Sequence, residues 1–138
     1  MTLSTSDTDS VLYRGAKTAL IYLLAAVLCG VFGWIYEQFS HGVYSAHMVY
    51  AFAYPLVGGA LPFLALGLSR LPNLPGQPEQ VLYHCGIATL TLGSVLRGVL
   101  EIYGTDNPLL AVYPLVGCLL AGIGAAVWFI DTFLQKKR

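Results

Sequence analysis

Residues 81–103 read VLYHCGIATLTLGSVLRGVLEIY. About 20 mostly apolar residues, rising 1.5 Å each, carry a helix across the hydrocarbon core of a bilayer. This stretch is long enough, and its only charges are Arg97 and Glu101. Their four-residue separation places both on one helical face, where they can pair. A charge near the bilayer core costs roughly 2.5–3.5 kcal/mol on insertion scales, so a pair at this depth implies a partner or a role. The stretch therefore reads as a lipid-embedded helix with one polar spot near its end.

The rest of the chain extends that reading. Of its 138 residues, 57% are hydrophobic and 10% charged, and the mean hydropathy is +0.69. A soluble domain carries about 25% charged residues. Long uncharged runs at Thr18–Tyr36, Gln38–Ser69, Gln80–Leu96 and Asn107–Ile130 predict four spans near 18–39, 46–68, 81–103 and 108–133. The expected architecture is all-α: a single four-helix transmembrane domain over 18–133, a polar N-terminal segment over 1–17 and a basic tail over 134–138. The first apolar run exceeds the 7–15 residues of a signal-peptide core. Cys29, Cys85 and Cys118 are isolated in sequence, so they read as small packing residues.

Charge placement sets an expected orientation. Arg14, Lys17, Arg70, Lys136, Lys137 and Arg138 all fall at one side of the four spans, and the loops after spans one and three carry no Lys or Arg. Positive charge is retained in the cytoplasm during insertion, which predicts a multi-pass protein of the cell membrane with both termini inside. The link Leu71–Pro78 is proline-rich, Gly104 can end the third span in a left-handed conformation, and Asp106 or Asn107 can cap the fourth ahead of Pro108.

Tyr54-Pro55-Leu56-Val57-Gly58 recurs as Tyr113-Pro114-Leu115-Val116-Gly117, and Glu37 and Glu101 each end the preceding span. This suggests two tandem helical hairpins related as a parallel repeat. Pro55, Pro62 and Pro114 are expected to kink their helices, because proline removes a hydrogen bond and clashes with the carbonyl four residues back. The carbonyls so freed in lipid need neighbours, water or a cavity.

By depth, Glu37, Arg97 and Glu101 with Tyr54 and Tyr113 form one expected polar layer near the outer surface, a candidate binding or gating site. Arg97, with five donors, is expected to serve both carboxylates. Gly117, Ala121 and Ala125 form a small-residue stripe suited to close helix packing, beside Cys118, Gly122 and Ala126. His41 and His47 sit in or beside the outer loop, and His84 at the opposite end of span three. They do not make a haem pair, and two ligands are too few for a metal site. No catalytic nucleophile-and-base pair, phosphate loop or nucleic-acid patch is visible, so neither an enzyme nor a cofactor is expected.

The segments Gly33-Trp34-Ile35-Tyr36-Glu37, Ser40-His41-Gly42-Val43-Tyr44-Ser45 and Gly98-Val99-Leu100-Glu101-Ile102-Tyr103-Gly104-Thr105 resemble small, uncharacterised four-span membrane proteins of Gram-positive bacteria. That resemblance implies a fold and no activity. The chain matches small multidrug transporters in size. It departs from them in the position of Glu37, in the intramembrane Arg97 and in its one-sided charge bias. Three functions remain open: a permease- or channel-like component, expected in oligomeric form; a non-catalytic accessory or scaffold subunit bound to another membrane protein; and a membrane enzyme acting on lipid headgroups or quinone through Glu37 and Glu101, which lacks a visible nucleophile or cofactor signature.

Overall fold

The computed structural model describes residues 5–69 and 76–137. All regular structure within them is helical: α1 Thr5–Gln38, α2 Ala46–Val49, α3 Ala53–Pro55, a π-helical turn Leu56–Ala60, α4 Leu61–Leu68, α5 Gln77–Tyr103, a 3₁₀ turn Pro108–Ala111 and α6 Val112–Lys136. Three helices are long and apolar enough to cross a membrane: Asp9–Gln38, Gln77–Tyr103 and Pro108–Lys136. Their surfaces are apolar on the outside as well, with Leu28 70%, Leu119 56% and Ile123 50% exposed. This is the inverse of a soluble domain and suits an integral membrane protein.

The second expected span departs most from its expected form. Residues 46–68 are not one helix: α2 ends at Val49, a turn covers Tyr50–Phe52, and the helix resumes through α3, the π turn and α4. Its longest apolar helical run is Ala53–Leu68. Two prolines explain the interruption, since Pro55 and Pro62 cannot donate to the carbonyls of Ala51 and Gly58. Gly58 and Gly59 fall inside the widened turn. The Tyr83 hydroxyl donates to the Gly58 carbonyl, the same group that Pro62 leaves without its α-helical donor.

Pro114 behaves differently from its sequence counterpart. It is the third residue of α6, and the 3₁₀ turn Pro108–Ala111 runs directly into that helix. The two copies of Tyr-Pro-Leu-Val-Gly consequently differ locally: 54–58 enters a π turn and 113–117 is α-helical. The polar N-terminal segment is not separate either, because α1 runs unbroken from Thr5. Arg70 and residues 71–75 of the proline-rich link, together with Arg138, lie outside the described residues. Gly104 closes α5 at φ 76°, with its N–H on the Glu101 carbonyl, and the Asn107 side chain accepts from Leu109 N–H at 3.0 Å.

α1 packs on α4 and the π turn, α5 packs on α6, and α2 and α3 stand between the two pairs. Glycines make both seams close. A Cβ on Gly15 would come within 2.8 Å of the Gly67 Cα, joining α1 to α4. In the α5–α6 seam a Cβ on Gly86 would meet the Cα and Cβ of Ala121 at 2.8 Å. Gly117 lies against Leu90, and Gly124 against the backbone of Glu79 and Tyr83. Gly117 and Ala121 of the predicted stripe thus pack within the chain, as small residues do where helices lack a hydrophobic drive to associate. Ala125 lies beside that seam and lines a cavity with α4 and α5.

Candidate functional site

The site is organised by the four-residue helix α2. Ser45 caps its N-terminus in an extended conformation (φ −114°, ψ 123°) and accepts from Met48 N–H at 3.4 Å. Met48 is 1% exposed and fills a slot between two glycines. A Cβ on Gly33 of α1 would lie 3.1 Å from the Met48 carbonyl, and one on Gly98 of α5 would lie 2.8 Å from Met48 N and Cβ. Bare backbone on both long helices therefore admits α2 as a wedge. The Ser94 hydroxyl donates to the His47 carbonyl at 2.7 Å, fastening the wedge to α5.

This placement brings three side chains onto Glu101. Ser45 Oγ donates to Oε2 at 2.6 Å. His47 Nδ1 lies 2.9 Å and Arg97 Nε 3.4 Å from Oε1. Both of those nitrogens are buried and neither has a hydrogen bond of acceptable geometry. The cluster is thus closely grouped and incompletely satisfied. The two nitrogens converge on Oε1 while Ser45 holds Oε2, and the Arg97 guanidinium retains donors for another acceptor.

Of the expected polar layer, Arg97 and Glu101 come together and Glu37 does not join them. Among the described residues Glu37 makes no ion pair, and its Oε1 is buried without a hydrogen-bond partner. The wedge explains the separation: α2 occupies the space between the Gly33 face of α1 and the Gly98 face of α5 that a Glu37–Arg97 contact would cross. Tyr54 and Tyr113 are also apart. Tyr54 lines a cavity of about 610 Å³ with His47, Tyr50, Ser94 and Leu90, whereas Tyr113 packs over Gly93 in the α5–α6 seam.

Ser45, His47 and Ser94 were not visible as site residues in the sequence. The one available signal was Ser45 itself, a preferred N-cap residue. The expected span at 46–68 starts directly after it, and its first turn carries His47.

A second polar group lies toward the other end of α5. Tyr22 of α1 and His84 of α5 are hydrogen bonded through the tyrosine hydroxyl and Nδ1, and Phe63 stacks on both rings, at 5.8 and 5.2 Å. Thr89 and Thr91 satisfy themselves on the carbonyls of Cys85 and Ile87. The three cysteines are free. Among the described residues, no three His, Cys, Asp or Glu side chains gather as a metal site would require. No protein-family model matches the chain, and neither a curated protein nor a solved structure does.

Proposed function

We propose that the chain is a small four-span permease- or channel-like component of the cell membrane, with both termini cytoplasmic. Its polar layer, Ser45, His47, Arg97 and Glu101, faces outward and contacts the permeant. The observation that carries this reading is the interrupted helix at 46–60 with a half-satisfied charge cluster against it. Discontinuous helices beside a cavity are where transporters place substrate and ion sites, and a π turn is frequent at functional positions. Four helices enclose little volume, so a permeation path is completed by a second copy or by a partner protein.

The test is thiol accessibility at position 97. Arg97→Cys, with Cys29, Cys85 and Cys118 replaced by Ala, is probed from outside with a charged, membrane-impermeant reagent after a check of folding. Rapid labelling is expected. No labelling would mean a sealed cluster and would overturn the proposal.

A second reading, an accessory subunit docked on another membrane protein, is favoured by the outer face of α6. There Cys118, Gly122 and Ala126 are exposed, and a Cβ on Gly122 would meet nothing within 4 Å. Co-purification of an unrelated membrane protein, with no intrinsic flux, would support it.

A further inference from the structure

We propose that the cavity between α4, α5 and α6 binds an apolar organic cation, an ammonium group on an aromatic or alkyl body, with Glu79 as its counter-charge. The cavity encloses about 440 Å³, within the range of sites for drug-sized ligands. Its lining includes Glu79 and the rings of Phe63, Tyr83, Trp128 and Phe129, and among the described residues it includes no Lys, Arg or His.

Glu79 is 8% exposed, its Oε2 has no hydrogen-bond partner, and no described residue forms an ion pair with it. A buried carboxylate left in this way is costly unless a cation reaches it. Aromatic faces around an anionic group are the chemistry that recognises substituted ammonium ions. Trp128 Nε1 is also buried without an acceptor, so the ligand's body can carry one. The site is near the opposite end of α5 from the Glu101 cluster and does not depend on the function proposed for it.

Trp34 and Trp128 are the only tryptophans, so the variant Trp34→Phe reports from the cavity alone. The probe is benzyltrimethylammonium, titrated against Trp128 fluorescence, with its uncharged carbon analogue as control. Saturable quenching by the cation is expected, weaker by about tenfold or more for the neutral analogue and in Glu79→Gln. Equal response to charged and neutral probes, or no saturable response, would overturn the proposal. So would unchanged binding in a folded Glu79→Gln protein. The charge comparison stands even where Glu79→Gln fails to fold, because it uses the carboxylate protein.

The ammonium could belong to a lipid headgroup or to a free amine. Nanodiscs of phosphatidylglycerol alone and with phosphatidylethanolamine separate these sources. Competition by phosphatidylethanolamine identifies the lipid ammonium, and its absence identifies a free amine.

Discussion

Replacing Gly98 with alanine should loosen the wedge and with it the charge cluster. The added methyl would lie 2.8 Å from Met48 N and Cβ and 2.9 Å from its Cα, whereas carbon atoms pack at about 3.5–4.0 Å. Two of these contacts are backbone, so rotation of a side chain does not relieve them, and α2 must retreat by roughly 0.7 Å or more. Such a shift stretches the 2.6 Å bond from Ser45 to Glu101 to the edge of hydrogen-bond range. Overpacking costs about 1–3 kcal/mol, and a weakened bond to a charged group adds up to about 1.5 kcal/mol. The sum is roughly 1–4.5 kcal/mol. At about 3 °C per kcal/mol this corresponds to a Tm lower by roughly 3–14 °C.

The assay is thermal unfolding of purified protein in one detergent, with Gly122→Ala as control. A Cβ at position 122 meets nothing within 4 Å, so that variant should be unchanged or gain up to about 1 kcal/mol from helix propensity. Equal Tm values for Gly98→Ala and wild type would refute the wedge. A loss in Gly122→Ala as large as in Gly98→Ala would show that the two sites are not distinguished by contact at all.

Ser45→Ala removes both the cap of α2 and the hydroxyl on Glu101. It should cost about 1–3 kcal/mol in the same assay, and should do so less in a Glu101→Gln background, where the acceptor is uncharged. Tyr83→Phe leaves the Gly58 carbonyl without its hydroxyl donor at a cost of about 1–2 kcal/mol. In a Pro62→Ala background position 62 regains an N–H for that carbonyl, and the penalty of Tyr83→Phe should shrink, as a double-mutant cycle would read.

The helical class, the three long apolar helices and the Arg97–Glu101 pairing were legible because each depends on one stretch of chain. Run length and composition report a helix in lipid, and a four-residue spacing reports a shared face. The small residues at 117 and 121 were legible as packing positions for the same local reason. The break at 50–52 was not. Pro55 and Pro62 announced a bend, but where the chain would resume depended on Met48 finding glycines on two distant helices. The partnership of Glu37 with Arg97 failed on similar grounds: depth along each helix was readable, whereas the object standing between them was not. Pro114 shows the limit of reading by repetition, since one copy of the pentapeptide enters a π turn and the other is α-helical.

The wedge also ties together stretches of chain made far apart. Ser45 reaches Glu101 across 56 residues and Ser94 reaches His47 across 47, about as far as Gly15 lies from Gly67 in the α1–α4 seam. Such non-local contacts form only after a long loop has closed. Until α5 is in place, Ser45 lacks the carboxylate it meets in the folded chain, and Met48 has the glycine of α1 alone to pack against.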